Sequence, residues 1–166
     1  MIVQLLDKVP VNLYPINILK CANCGLVQID QVVKQKEVYY PGYPYIPSIT
    51  GLVDKQQKEF AETCFKKLNL KKGDLVIDIG SNDGNLLMYF QNLGCRVVGV
   101  EPTSTYKIAN KKGIKTYNNF FQEDIAKKII SEYGKAKLIT ATNVFAHMST
   151  LGSVMRSINL TLDKKS

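Results

Sequence analysis

An α/β fold built on a doubly wound parallel sheet is what this 166-residue chain predicts, on three observations. From residue 71 onward, apolar runs short enough for buried strands alternate with longer amphipathic stretches, the order that yields a parallel sheet covered by helices. The run Leu75-Val76-Ile77-Asp78-Ile79 passes straight into a turn bracketed by Gly80 and Gly84. A second run, Arg96-Val97-Val98-Gly99-Val100, ends on Glu101, twenty-one residues after Gly80.

Taken in order, residues 11–30 read as two short strands, Ile16 to Leu19 and Leu26 to Ile29, flanking Cys21-Ala22-Asn23-Cys24-Gly25 as in half of a zinc ribbon. Cys21 and Cys24 are candidate metal ligands, although a structural zinc site takes four and the chain offers two obvious thiolates. A metal-free turn, a redox pair or a site completed by further residues fit the same pattern. Cys64 and Cys95 stand alone in apolar surroundings and read as small buried hydrophobes. Residues 38–50 hold Pro41, Pro44 and Pro47, which exclude a regular helix. This segment is either a packed linker or a cover over the ligand-binding end of the sheet.

A helix is predicted from Gly51 to Leu68, with Val53, Phe60, Ala61, Cys64, Phe65 and Leu68 on one face. After the strand at 75–79, the apolar stretch Asn85 to Phe90 predicts a helix, and 96–100 a second strand. A helix at Tyr106 to Lys112, a strand at Ile114 to Tyr117, a helix at Glu123 to Tyr133 and a strand at Leu138 to Ala141 follow. Ser149 or Thr150 would cap a last helix. Four strands leave the fourth as an exposed edge, which a complementing chain or a homo-oligomer would cover.

The turn is suited to a nucleotide-like ligand. Gly80 and Gly84 permit positive φ and close approach of the ligand, and Asn82 tolerates a left-handed backbone. Glu101 lies near the roughly 20-residue spacing of ribose-binding acids in open α/β sheets. The turn Gly80-Ser81-Asn82-Asp83-Gly84 lacks the third glycine of a dinucleotide site, and the chain has no phosphate-binding G-x-x-x-x-G-K-[ST] loop. Asp78 and Asp83 would repel a pyrophosphate but suit the ammonium and sulfonium charges of S-adenosylmethionine.

The stretches Asp78-Ile79-Gly80-Ser81-Asn82-Asp83-Gly84, Gly99-Val100-Glu101-Pro102 and Asn143-Val144-Phe145-Ala146-His147 resemble the sugar C-methyltransferases, which act on nucleotide-linked 4-keto-deoxysugars. Leu13-Tyr14-Pro15-Ile16 through Cys21-Ala22-Asn23-Cys24-Gly25-Leu26-Val27-Gln28 resembles that family's small zinc-binding region, and Tyr43-Pro44-Tyr45 its Tyr-x-Tyr segment. The resemblance implies a partial zinc-binding region at 1–37, a Tyr/Pro-rich segment and linking helix at 38–70, and a class I methyltransferase (Rossmann-like) domain at 71–166. The family's later strands would lie beyond Ser166, so the chain resembles an amino-terminal portion of a longer protein.

In that frame Asp78, Gly80, Ser81, Asn82, Asp83 and Gly84 bind the amino-acid end of S-adenosylmethionine, and Glu101, followed by Pro102, binds the ribose. Asn143 contacts the methionine portion. Phe120 stacks on adenine or belongs to the core. C-methylation beside a ketone needs a base for the α-proton and a partner for the enolate. His147 supplies one of these, as imidazole titrates near neutrality. Either Tyr43 or Tyr45 supplies a phenol to the same chemistry.

Composition is that of an ordinary globular protein, 45% hydrophobic and 22% charged, which excludes disorder and coiled coil. No apolar stretch reaches the roughly 20 residues of a membrane span, and the amino end lacks a basic secretory start, so no membrane partner and a cytoplasmic location are expected. The net charge of +8 comes from scattered lysines; it serves solubility or attracts a nucleotide diphosphate. A nucleic-acid methyltransferase is the competing enzyme, disfavoured because Asn143-Val144-Phe145-Ala146 lacks the Pro-Pro-aromatic sequence of amino-directed base methylases. A non-catalytic or degenerate S-adenosylmethionine-binding fragment is the alternative from a different class.

Overall fold

Period-two alternation decides the layers. In strand β3 (Leu75–Ile79) the side chains of Leu75, Ile77 and Ile79 enter one buried cluster while Val76 enters another, so the strand is covered on both faces. β4 (Arg96–Val100) repeats this, with Val98 and Val100 beside Ile77 and Ile79 and Val97 beside Val76. The computed structural model describes residues 14–40, 42–43, 45–49, 51–148 and 151–164. The chain divides into two compact units, Met1–Lys34 and Gln35–Ser166.

The described part of the first unit is an antiparallel hairpin of β1 (Ile18–Lys20) and β2 (Val27–Ile29), in register Ile18 opposite Ile29. Its turn is closed by the Cys21 N–H donating to Leu26 O (2.8 Å) and the Gly25 N–H donating to Cys21 O (3.0 Å). Gly25 sits at φ 75°, where a side chain would be strained.

The second unit opens with the short helix α1 (Gln35–Val38), a 3₁₀ turn at Pro47–Ile49 and the long helix α2 (Gly51–Lys67). After β3 come α3 (Asn85–Asn92), β4, α4 (Tyr106–Lys111), β5 (Thr116–Tyr117), α5 (Glu123–Tyr133), β6 (Leu138–Thr140), a 3₁₀ turn at Phe145–His147 and α6 (Gly152–Thr161). The sheet order is β5-β4-β3-β6, and every pairing in it is parallel. The chain therefore steps outward from β3 to β5 and then crosses back to β6 on the other side of β3. Ligands of open α/β sheets lie in the crevice at that reversal.

Two cores flank the sheet. One packs Leu86, Leu87 and Phe90 of α3, Ala109 of α4 and Ala61 of α2 on Val76 and Val97. The other packs Ile125, Ala126 and Ile129 of α5 and Val154 of α6 on Leu75, Ile77 and Val98. Helices on both faces make the sheet doubly wound, as the sequence predicts.

The elements fall close to their predicted places, with local differences. β5 begins at Thr116, not Ile114, because Ile114 is fully buried beneath α4 instead of pairing in the sheet. α6 begins at Gly152, with Leu151 in the capping position; Ser149 and Thr150, the expected caps, lie outside the described residues. Phe60 and Leu68, expected on the sheet-facing side of α2, are largely exposed, and only Ala61, Cys64 and Phe65 of that face reach the core. No helix among the described residues is long and apolar enough to cross a membrane.

Candidate functional site

β3 carries Asp78 to the carboxyl edge of the sheet, where Asp78 is 2% exposed. Its Oδ1 accepts a hydrogen bond from the Thr140 hydroxyl of β6 at 2.7 Å. Burial pushes the carboxyl up to about 7; the neighbouring Glu101 charge adds to the rise and the Thr140 bond works against it. The chain then turns sharply. Gly80 adopts φ 71° and donates its N–H to Val100 O at 2.8 Å, and a Cβ there would lie 2.7 Å from Val144 Cγ2.

Asn82 follows in the left-handed region at φ 50°. Its backbone N–H donates to Glu101 Oε2 at 2.9 Å, and the Thr103 N–H donates to Glu101 Oε1 at 2.8 Å. The Asn82 amide group also donates to Tyr45 O at 2.9 Å, which ties the Tyr/Pro-rich segment across the turn. The buried Ser81 Oγ and Asn82 Oδ1 have no hydrogen-bond partner among the described residues, leaving polar atoms for a ligand.

Around this turn lies a cavity of about 490 Å³, within the usual range for small-molecule sites. Asp78, Gly80, Ser81, Asn82, Glu101 and Pro102 line one part, with Phe120 and Asn143. Tyr43, Tyr45 and His147 line it too. Phe120 and its neighbour Phe121 both line the cavity, and Phe121 is also buried in the core. Asn143 is left-handed at φ 55°, at the bend that turns the chain from β6 toward His147.

Two expected cofactor residues are placed elsewhere. Asp83 is fully buried away from the cavity, with its Oδ2 2.8 Å from Lys112 Nζ. Asp78 lines the cavity and Asp83 does not. Gly84, at φ 77°, is required by packing: a Cβ would sit 3.0 Å from Ala109 Cβ and 3.2 Å from Ile114 Cβ.

Other residues of the site escaped the sequence reading. Val53, Gln57 and Phe60 of α2 line the cavity, and their i, i+4, i+7 spacing is the signal that would have found them. Asn85 Nδ2 bonds Gln57 Oε1 (2.8 Å) and Asp54 Oδ1 (2.9 Å), and the Tyr89 hydroxyl donates to Asp54 Oδ1 at 2.6 Å. These bonds fasten the α2 wall to α3. The bond to Asp54 pushes the Tyr89 phenol up to about 12. Tyr39, also on the cavity wall, has no local signal to distinguish it from Tyr40.

In the hairpin, Cys21 and Cys24 are exposed. Backbone N–H groups of Cys24 and Asn23 point at the Cys21 sulfur and lower its pKa. Among the described residues no group of three or more His, Cys, Asp or Glu gathers to hold a metal. The pair thus presents two ligands of the four a structural zinc takes.

C-methyltransferase NovU of Streptomyces niveus is 29% identical over 151 residues, which cover 90% of this chain and 36% of that protein. The chain therefore spans about a third of the length of this curated relative. Among solved structures, the plantazolicin methyltransferase BpumL, determined with SAH, aligns over 78% of this chain and 52% of its own, with a TM-score of 0.57 and 20% identity. A SAM-dependent methyltransferase from Anabaena variabilis aligns over 67% and 49%, at 0.55 and 20%. These likenesses show the class I methyltransferase fold, Rossmann-like with a parallel sheet. Residues 53–165 match the family described as methyltransferase domain, and the chain belongs to that family.

Proposed function

We propose that the chain carries the cofactor site and part of the catalytic site of an S-adenosylmethionine-dependent C-methyltransferase acting on a nucleotide-diphospho-4-keto-deoxysugar. The observation that carries this reading is one cavity whose walls bring Asp78 and Glu101 together with His147, Tyr43 and Tyr45. The name of the relative from Streptomyces niveus, a C-methyltransferase, agrees with it.

The residues present fit the cofactor. The Glu101 oxygens each take one backbone N–H and keep further lone pairs on the cavity wall, as two adjacent ribose hydroxyls need. The Asp78 carboxyl and the unpartnered Asn82 Oδ1 can accept from an ammonium. Pro102 and Phe120 supply apolar surface for an adenine. When bound, S-adenosylmethionine supplies an electrophilic methyl on sulfur.

His147 takes the proton from the carbon beside the substrate ketone, and the electron pair of that C–H bond becomes the enolate. A phenol from Tyr43 or Tyr45 donates to the enolate oxygen. The site holds the carbanion in line with the methyl, so much of the gain is proximity. The excess of positive charge, +8 overall, favours a substrate bearing a diphosphate.

Calorimetric titration with S-adenosylhomocysteine, repeated with a pyrimidine-diphospho-4-ketosugar present, tests the reading. Binding of both ligands is expected. Binding of RNA in preference to the sugar nucleotide would overturn it. In a preparation that turns over the sugar nucleotide, His147→Asn is expected to abolish solvent exchange of the sugar's α-proton, and persistent exchange would remove His147 from its role.

A further inference from the structure

The imidazole of His147 stands at the end of the 3₁₀ turn Phe145–His147, exposed to the cavity side of the sheet. Its backbone is anchored, since the His147 N–H donates to Val144 O at 3.0 Å. Among the described residues, however, no hydrogen bond or ion pair holds the ring itself. A histidine that must meet a C–H bond needs its ring aimed as well as placed. Packing has to provide the aim.

One ring is in place to do so. Tyr39 packs edge-to-face on His147, with centroids 6.3 Å apart and planes at 64°. The same ring packs edge-to-face on Tyr43, at 5.3 Å and 60°. Tyr39 is itself held by its backbone, whose N–H donates to Gln35 O at 2.8 Å and so extends α1 by one residue. A single half-buried ring therefore spans the segment bearing the candidate phenols and the turn bearing the candidate base. Edge-to-face geometry is the favoured arrangement of aromatic pairs and resists rotation of either ring. Burial, then the neighbouring Tyr43 and Glu101, raise the Tyr39 phenol above its ordinary range, so the ring stays neutral beside the imidazole.

We propose that Tyr39 is a positioning residue for His147, its ring edge fixing the imidazole toward the cavity and linking its orientation to the Tyr43 segment. This rests on the reading of His147 as the residue that handles the α-proton. The contact itself can be tested apart from that reading, because His147 is the chain's one histidine and its ring signals are unambiguous in a proton–carbon NMR spectrum.

In the unmutated chain, a nuclear Overhauser contact is expected between ring protons of Tyr39 and His147, with the imidazole signals displaced by ring current. Tyr39→Leu is expected to move them to free-histidine positions, and Tyr39→Phe is expected to restore the displacement. In a preparation that catalyses α-proton exchange, Tyr39→Leu should slow that exchange by about tenfold, the upper end for one aromatic pair, and Tyr39→Phe should recover it. Absence of the Overhauser contact, or unmoved imidazole signals in a Tyr39→Leu chain that still binds the cofactor product, overturns the proposal. If His147→Asn leaves exchange intact while the ring signals behave as expected, the base assignment fails and the packing relationship stands.

Discussion

Glu101 accepts the backbone N–H of Asn82 at 2.9 Å, from a carboxylate that is 4% exposed. The acid proposed for the ribose is thus also a brace for the turn that surrounds the cofactor. Its second oxygen fixes Thr103 at 2.8 Å, so both loops at the ends of β3 and β4 depend on one side chain. Glu101→Ala would strand two N–H groups, at about 1–3 kcal/mol for each one left buried and unpaired. A stability loss of about 2–6 kcal/mol and a loss of S-adenosylhomocysteine affinity near 100-fold are expected, read by urea unfolding and calorimetry. Affinity unchanged at full folding would remove Glu101 from the site.

Asp78 links the site to pH. Its carboxyl is raised from 3.8 to about 7 in the folded chain, so between those values the folded state holds a proton that the unfolded state has released. Stability from this group is complete below pH 4 and is lost as pH rises to about 7. At about 1.4 kcal/mol per unit the whole change is up to about 4 kcal/mol. Asp78→Asn removes the slope, so its stability relative to the wild-type chain should climb from pH 4 to pH 7.5 in urea melts. A constant difference across that window would contradict the burial of an ionisable Asp78. An ammonium-bearing ligand favours the ionised form, so affinity of the wild-type chain should fall below pH 7, and that of Asp78→Asn should not.

Gly80 and Val144 form a second coupled pair. An alanine at position 80 would hold φ 71° with its Cβ 2.7 Å from Val144 Cγ2. The dihedral costs about 1–2 kcal/mol and the overlap adds to it. Val144→Ala removes only the overlap. Gly80→Ala is therefore expected to cost at least about 1 kcal/mol less in the Val144→Ala background than alone, a coupling that a double-mutant cycle measures. Simple additivity would mean that the two residues do not touch.

The strand-turn-helix at 75–92 and the acid Glu101 were legible because each rests on local chemistry: alternation, glycine at positive φ, a carboxylate at a strand end. The distinction between Asp78 and Asp83 was not legible. Both acids flank the same turn in sequence, and the course of that turn, left-handed at Gly80 (φ 71°) and at Asn82 (φ 50°), leaves Asp78 on the cavity and Asp83 against Lys112. Tyr39 was invisible for another reason: its partner His147 comes from the far side of the sheet reversal, and no local pattern encodes a contact made by a crossover. The cavity wall on α2 lay between these cases, since Val53, Gln57 and Phe60 have helical spacing but Val53 and Phe60 read as part of one apolar face packed on the sheet.

The separation of Asp83 from the cavity leads to an outcome opposite to the one its sequence position suggests. Its carboxylate is buried at 1% side-chain exposure and meets Lys112 Nζ at 2.8 Å, while Lys112 is 32% exposed. Its other oxygen, Oδ1, has no hydrogen-bond partner among the described residues, so Lys112 carries most of the compensation. Lys112→Met strands a buried charge, which costs about 3 kcal/mol or more, whereas the double change Asp83→Asn with Lys112→Met removes that charge and should recover part of the loss. Neither change reaches the cavity. S-adenosylhomocysteine affinity of both folded variants is expected within about twofold of the wild-type chain, measured by calorimetry below the unfolding transition. A tenfold weakening in the double variant would place Asp83 with the ligand, and the charge argument for the cofactor would again rest on two acids instead of Asp78 alone.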